Sequence, residues 1–196
     1  QEQDDLIDKA AMQNEADGVI RGAMNNVLSR YSELSRQYPC EYIIRVTGDN
    51  PLTEFRFIKP LVDFVNFNKF PYSWVDPALC PEGANLEIFS TKELLYSESV
   101  DNSKLNCEHV THFMQQNLLP KQYLAEIAKD FFPFDCTQLS FTIDTLADYV
   151  KVSRLIALAS KEFGTDWKNP TFVGRCAEFL VKNPSRFNYG RNHPLA

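Results

Sequence analysis

The chain has 196 residues, of which 44% are hydrophobic and 23% charged, with a net charge of -6 at pH 7. This composition is typical of a folded globular protein and excludes a disordered chain. The acidic balance, without a run of Lys or Arg, disfavours broad binding to nucleic acid or anionic membranes. No apolar stretch approaches the roughly 18 residues of a membrane span. Five scattered cysteines without a CxxC pattern indicate reduced thiols, and we expect a cytoplasmic protein without a secretory signal.

The first residues have the pattern of a helix interior. Leu6, Ile7, Ala10 and Ala11 share one helix face, and no Met precedes them. We therefore expect the chain to begin inside a longer protein.

Hydrophobic periodicity then predicts strands and helices in alternation. The predicted strands are 17–22, 41–47, 70–75, 84–90, 122–128 and 137–143. The predicted helices are 25–38, 53–67, 91–99, 107–117, 145–163 and 171–183. We expect Thr53 to cap the second of these helices, with Pro60 near its start. Thr145 and Asp148 have the spacing of a capping box on the fifth.

This alternation predicts an α/β fold with a mainly parallel sheet and helices on both faces. We expect one domain over residues 1–182 and a polar tail over 183–196. Ligands of such sheets gather beyond the carboxyl ends of the strands. Asp49 follows the strand YIIRVTG, and Asp144 follows the segment LSFTI.

Each of these aspartates also has a structural explanation. Gly48, Asp49, Asn50 and Pro51 are turn-forming residues, so Asp49 can simply belong to a turn. Asp144 stands before a helix, where a carboxylate offsets the helix dipole. The pair is more informative, because two carboxylates on strand tips of one sheet can share a Mg²⁺ ion, which completes its shell with water and phosphate oxygens.

Five segments in order carry a family resemblance. They are VIRGAMNNVLSRY (19–31), EYIIRVTGDNPL (41–52), PEGANLEIFSTKEL (81–94), CEHVTHFM (107–114) and LSFTIDTLADY (139–149). Over roughly residues 5–160 the chain resembles the spore coat polysaccharide biosynthesis protein F family. That family belongs to the cytidylyltransferases, alongside the acylneuraminate and CMP-keto-deoxy-octulosonate synthetases.

The resemblance implies a Rossmann-like nucleotidyltransferase fold and a set of site residues. Asp49 matches the aspartate of the GD-x-P motif and Asp144 the first aspartate of the DT-x-x-D motif, which hold the catalytic magnesium in the superfamily. Glu87 matches the acidic residue of a G-x-x-x-E segment and is expected to contact a sugar. Glu108 and His109 match the E-H-V-T motif, also at the sugar side.

Other polar residues keep simpler alternatives. Arg45 matches the strand arginine of the R-V-T-G-D pattern, and we expect it either to bind substrate or to pair within the sheet. Glu87 can act as a cross-strand charge partner, and His109 can be a structural histidine. His109 and His112 are three residues apart, but no third ligand is evident, so we expect no zinc site.

The chain also departs from the family pattern. The family begins with a strand and a Gly/Arg/Lys-rich loop around the nucleotide triphosphate, and nothing similar precedes Gln1. We therefore expect the chain to be either a fragment or a degenerate relative. Asn25 and Asn26 replace acidic residues, while Cys107 and Ser140 stand where the family has arginine. Because arginine grips anions through two parallel hydrogen bonds, these replacements weaken the expected anion binding.

Together these observations predict transfer of CMP from CTP, or a similar nucleotide, to a sugar, for surface glycan synthesis. One alternative is a non-catalytic nucleotide-sugar-binding or scaffold domain. Another is a glycosyltransferase of similar fold. By analogy with relatives, a homodimer is the expected assembly.

Overall fold

The structure is a computed structural model that describes residues 5–118, 125–136 and 138–184. In chain order, the elements are α1 (Asp5–Gln13), α2 (Val27–Gln37), β1 (Tyr42–Arg45), a 3₁₀ turn (Phe55–Phe57), α3 (Ile58–Asn68), β2 (Tyr72–Trp74), β3 (Glu87–Ser90), α4 (Thr91–Val100), α5 (Lys104–His109), α6 (His112–Asn117), α7 (Ala125–Phe131), α8 (Leu146–Phe163) and α9 (Phe172–Lys182). The residues group into two compact units. We call them the helical unit (Gln1–Glu41 and Ser90–Leu119) and the sheet unit (Tyr42–Phe89 and Pro120–Ala196).

In the helical unit, α2 packs against α4 and α5. Side-chain caps fix where these helices begin: Asn26 Oδ1 accepts from the Ser29 amide at 2.9 Å, and Ser90 Oγ accepts from the Glu93 amide at 3.1 Å. Each cap satisfies one amide that has no partner inside its helix. Polar Ser97 and Asn106 are fully buried here and bond to one another at 3.0 Å.

In the sheet unit, the described strands form one sheet in the order β1-β3-β2. Strands β2 and β3 run antiparallel, with Tyr72 opposite Phe89 and Trp74 opposite Glu87. The prediction of parallel strands is therefore wrong for this pair. The physical reason is the connection 75–86, which contains no helix, whereas parallel neighbours need a crossover that is usually helical.

A large apolar cluster forms the core of the sheet unit. Fully buried aromatic rings are central to it, and α8 packs against α9. Its largest members are Phe57, Leu61, Leu86, Ile88, Phe141, Leu155 and Phe172. This core gives the loops that leave the sheet a rigid base, because closely packed interiors have low compressibility.

Several predicted elements are confirmed and others are corrected. The capping box of Thr145 and Asp148 at the start of α8 is present. Pro60 lies in the first turn of α3, as expected. Thr53 does not cap this helix, because its hydroxyl donates to the Asn50 carbonyl at 2.8 Å; the Glu54 carboxylate accepts from the Arg56 amide instead.

The predicted strand 17–22 is wrong, because this segment is a loop. Its glycines lie against α2: a Cβ at Gly18 would fall 2.5 Å from Tyr38 Oη, and one at Gly22 would fall 2.7 Å from Arg30 Cγ. Arg21 pairs with Asp5 of α1 at 2.7 Å. The segment therefore packs against helices and does not form the hydrogen bonds to a neighbouring strand that define a β-strand.

Later in the chain, three predictions change. The helix 107–117 is broken at Val110 into α5 and α6. In the predicted strand 122–128, residues 125–128 belong to α7, and 122–124 lie outside the described residues. In the predicted strand 137–143, only a parallel bridge between Ser140 and Glu82 is assigned, and Thr137 lies outside the described residues.

Most of the predicted tail, residues 185–196, also lies outside the described residues, so the domain boundary at 182 stays a prediction. Among the described helices, none combines the length and apolar character that a membrane crossing requires.

Candidate functional site

The two aspartates that follow strand-like segments lie on neighbouring segments of the sheet unit. The Ile143 amide donates to the Asp49 carbonyl at 2.9 Å, so the residue before Asp144 is bonded directly to Asp49. This hydrogen bond excludes an arrangement in which the two aspartates lie on opposite sides of the unit. We call Asp49 and Asp144 with their connecting bond the carboxylate rim.

Both carboxylates of the rim face solvent, and within the described residues neither has a hydrogen-bonding or ionic partner. Asp144 is not needed as a cap, because Thr145 Oγ1 accepts from the Asp148 amide and Asp148 accepts from the Thr145 amide. The hydrogen bond from the Thr145 side chain lowers the pKa of Asp148. The capping function of this helix thus belongs to Asp148, and Asp144 is left available for a ligand.

Gly83 supports the rim from the sheet side. Its φ of +83° favours glycine, and a Cβ there would fall 2.8 Å from Asn50 Oδ1 and 3.0 Å from Thr142 Oγ1. Its neighbour Glu82 accepts from the Phe141 amide at 2.8 Å and donates to the Leu139 carbonyl at 3.0 Å. The segment around Gly83 therefore bonds to the strand-like segment that leads to Asp144 and also lies against the loop that contains Asp49.

The donor set of the rim fits a magnesium ion. Mg²⁺ commonly takes one or two carboxylates and keeps water and phosphate oxygens for the remaining positions. Asn50 Oδ1, next to Asp49, is a buried acceptor without a partner among the described residues. Within that same part of the chain, no group of three or more His, Cys, Asp or Glu residues suited to a metal is present. The rim thus matches an open site that substrate completes, and its metal-binding role stays a prediction.

Arg45 and Glu87 form an ion pair across the sheet. Arg45 Nη1 donates to Glu87 Oε2 at 2.9 Å, and the Tyr72 hydroxyl donates to Glu87 Oε1 at 3.1 Å. Tyr72 in turn stacks on Trp74, with ring centroids 5.2 Å apart. The side chains of Arg45 and Glu87 are 19% and 14% exposed. Pairing within the sheet, the structural alternative for both residues, is therefore present, and any contact with substrate would be made by a pair already fixed in place.

Glu108 and His109 lie in the helical unit, both exposed at the end of α5. The next residue, Val110, has φ 63° and ψ -52°, which no β-branched residue adopts without strain. The Thr111 amide donates to the His109 carbonyl at 2.6 Å, so Val110 is the centre of a γ-turn of the rare, strained type. Strained turns of this kind often occur at functional sites.

A buried asparagine holds this turn in place. The Asn106 carbonyl accepts from the Val110 amide at 2.9 Å, and Asn106 Oδ1 accepts from the Phe113 amide at 3.0 Å. Its Nδ2 donates to Ser97 Oγ at 3.0 Å and to the Asp101 carbonyl at 2.8 Å. Every polar group of the Asn106 side chain is thus used to fix the chain on both sides of the turn.

Sequence reasoning missed three residues that shape these sites. Gly83 stands in PEGAN, and a glycine between two predicted extended segments was an available signal for a close approach. Tyr72 lies in a predicted strand and carried no separate signal. The strain at Val110 could not be read from the sequence, because valine gives no sign of positive φ.

Comparison with known structures gives the class of this fold. A cytidylyltransferase from Leptospira borgpetersenii serovar Hardjo-bovis superposes with a TM-score of 0.79, covering 100% of this chain and 78% of that chain at 22% identity. This likeness shows the fold, and it confirms the predicted Rossmann-like nucleotidyltransferase class.

The family follows from the sequence. The family model described as cytidylyltransferase matches residues 4–169, and the chain belongs to this family of nucleotidyltransferases. An uncharacterized protein of Methanocaldococcus jannaschii is 29% identical over 182 residues, which is 89% of this chain. The spore coat polysaccharide biosynthesis protein SpsF of Bacillus subtilis is 25% identical over 152 residues, or 73% of this chain. The chain spans 67% of the length of the first and 58% of the second.

Proposed function

We propose that the intact protein transfers a CMP moiety from CTP to a sugar for surface glycan synthesis. A sugar hydroxyl would attack the α-phosphorus of CTP, forming a new phosphorus–oxygen bond while pyrophosphate leaves. Membership of the cytidylyltransferase family supports the nucleotide part of this proposal. The similarity to a spore coat polysaccharide biosynthesis protein supports the sugar part. The observation that carries it is the hydrogen bond between Ile143 and Asp49, which joins the two segments bearing the carboxylates.

In this proposal, Asp49 and Asp144 would hold Mg²⁺. When bound, the ion would offset the charge of the triphosphate and polarise the phosphoryl group. The absence of a nucleophilic Ser or Cys from the rim is acceptable, because phosphoryl-type transfer depends mainly on positioning and on charge neutralisation. The two carboxylates are themselves well positioned, because both lie on segments that backbone hydrogen bonds fix in place.

In the sheet unit, Glu87 would recognise the sugar. The sugar-binding roles of Glu108 and His109 stay predictions of the family resemblance. Glu87 is held by Arg45 and Tyr72, so its carboxylate is oriented before substrate arrives. Fixed acceptors of this kind suit sugar hydroxyls, because little ordering is needed on binding. The proposal places the protein in the cytoplasm, which agrees with five free cysteines. The proposed assembly is a homodimer.

The proposal is tested with the full-length protein and the variants Asp49→Asn and Asp144→Asn. Pyrophosphate release from CTP is followed with a panel of neutral sugars, amino sugars and sugar acids, with and without Mg²⁺. We expect turnover to fall at least about 100-fold in each variant, the loss typical of one electrostatic contact to the transition state. Asp63→Asn is the matched control, since Asp63 is an exposed carboxylate whose pairing with Lys59 contributes little.

The outcomes separate the alternatives. Undiminished pyrophosphate release in Asp49→Asn would refute the role of the rim. Binding of a CMP-sugar without turnover or Mg²⁺ dependence would indicate a non-catalytic nucleotide-sugar-binding domain. Transfer of the sugar from a nucleotide sugar, without pyrophosphate release, would indicate a glycosyltransferase.

A further inference from the structure

The sheet unit contains a pocket whose lining includes neither Asp49 nor Asp144. It is a pocket of about 370 Å³ between the 3₁₀ turn that precedes α3 and the loop that precedes α9. Its walls are Glu54, Phe55, Arg56, Trp167, Lys168 and Asn169, closed by Pro170 and Val173. We call it the Trp167 pocket. A volume in this range is within that of small-molecule sites.

The pocket exposes two large aromatic side chains. Trp167 is 70% exposed and Phe55 is 60% exposed, although both rings would gain from burial. Lys168 Nζ lies 5.5 Å from the centroid of the Trp167 ring. A flat apolar surface with a cation beside it suits a ligand that has both a ring and a negative charge.

The charged groups of Glu54 and Arg56, which line the pocket, are held rigidly. Glu54 is 1% exposed, and its carboxylate accepts from Arg56 Nε at 2.9 Å and Arg56 Nη2 at 2.6 Å. The guanidinium also lies 4.2 Å from the centroid of the Phe131 ring. A Cβ at Gly174 would fall 3.2 Å from Arg56 Nη2, so α9 closes over the same group. Arg56 is therefore oriented before any ligand arrives.

The side-chain groups that remain free in the pocket are all donors. The acceptors of Glu54 are occupied by Arg56, and Asn169 Oδ1 accepts from the Thr171 amide at 2.9 Å. Among the described residues, no hydrogen bond or ion pair is found for Arg56 Nη1, Lys168 Nζ or Asn169 Nδ2. A ligand that matches this wall must bring acceptors, and a phosphate group brings several on one atom.

We propose that the Trp167 pocket is a second nucleotide-type site, which takes a ligand with a planar base and a phosphate. The base stacks on Trp167, and the phosphate accepts from Lys168 and the Arg56 edge. This site is distinct from the carboxylate rim and needs no metal, since its cationic and donor groups face the phosphate directly.

The test measures binding of CMP to the full-length protein by calorimetry in buffer with EDTA. Trp167→Ala is expected to weaken binding between about 5-fold and 150-fold, the range that loss of one base–aromatic stack gives. Lys168→Ala is expected to weaken it about 2- to 5-fold, because an exposed charge contributes modestly. Phe67→Ala and Lys161→Ala are matched controls: both residues are exposed and neither lines the pocket.

Ligands that lack either the base or the phosphate test the Trp167 contact and the Lys168 contact separately. Ribose 5-phosphate lacks the base and should bind equally to wild type and Trp167→Ala. Cytidine lacks the phosphate and should bind equally to wild type and Lys168→Ala. The Asp49→Asn variant should bind CMP as wild type does in EDTA, so that a failure of the proposed function and a failure of this site are distinguishable. The proposal is overturned if CMP does not bind in EDTA, or if its affinity is unchanged in both pocket variants.

Discussion

The strained turn at Val110 gives a prediction that separates backbone strain from side-chain packing. Val110 is fully buried and has φ 63°. Replacing it with Ala removes two buried methyl groups, and replacing it with Gly removes the whole isopropyl group. Gly therefore loses one more buried carbon than Ala, worth about 0.8 kcal/mol. The two variants also differ in the backbone, because Gly adopts positive φ without strain and Ala does not.

The size of the difference follows from the backbone strain at Val110, which favours Gly, and from the buried methyl group and the lower folding entropy cost, which both favour Ala. A non-glycine residue in a sparsely populated region costs about 1–3 kcal/mol. Glycine loses more conformational freedom on folding, which costs about 0.5–1 kcal/mol relative to alanine. Once the lost methyl group is included, Val110→Gly should be more stable than Val110→Ala by roughly 0.5 kcal/mol. At an ordinary helical position the order is reversed, with Gly about 1 kcal/mol less stable than Ala.

Urea unfolding followed by circular dichroism measures the stability of the Ala and Gly variants at Val110 and at a control position. The unfolding midpoints are compared where the denaturant slopes of the variants agree. Glu33→Ala and Glu33→Gly provide the control, because Glu33 is exposed in the middle of α2 in the same helical unit. The expected difference between the Ala-to-Gly comparison at Val110 and the one at Glu33 is about 1.5 kcal/mol. If Gly is the less stable residue at both positions by the same amount, the turn at Val110 carries no strain and the reasoning is wrong.

Three further predictions concern the sheet unit. Gly83→Ala should destabilise the protein by about 1–3 kcal/mol and reduce turnover, because its φ is +83° and its Cβ would meet Asn50 Oδ1 at 2.8 Å; an unchanged urea midpoint would contradict this. Glu54→Gln should lower stability by about 2–3 kcal/mol, less than for a fully buried pair because the Arg56 side chain is 24% exposed; equal midpoints for wild type and variant would exclude it. Burial raises the pKa of Cys176 from 9.0 to about 12, so its stabilising effect is complete below pH 9 and is lost as the pH rises towards 12. Between pH 9 and 11, Cys176→Ala should show a stability slope smaller by about 1.4 kcal/mol per pH unit, and parallel slopes would refute the assignment.

The parts of the fold that the sequence predicted are those with local causes. The helices Val27–Gln37 and Leu146–Phe163 follow from apolar periodicity and from caps a few residues away. The positions of Asp49 and Asp144 at the ends of extended segments follow from the same patterning. By contrast, residues 125–128 were assigned to a strand, although Leu124, Ile127 and Ala128 also fit helical spacing. A short apolar run fits both periods, and α7 shows which of them applies.

The parts that the sequence did not predict depend on contacts between distant segments. Glu87 is bonded by Arg45 and Tyr72, which lie 42 and 15 residues away along the chain. The Trp167 pocket combines a turn near residue 55 with a loop near residue 168. No window of neighbouring residues contains both partners of such a contact, so local patterns had no means of predicting it.

The residues in the segments that carry the family resemblance have two different physical roles. In PEGANLE and CEHVTHFM, Gly83 and Val110 occupy backbone conformations that the surrounding contacts impose. In RVTGDNPL and FTIDTLAD, the carboxylates of Asp49 and Asp144 are exposed and, within the described residues, make no hydrogen bond or ion pair. Similarity in the first two segments is therefore expected of any protein that keeps this fold, with or without catalysis. Only the carboxylates distinguish an enzyme from a binding domain, because their replacement by Asn should remove turnover and leave stability within about 0.5 kcal/mol of wild type.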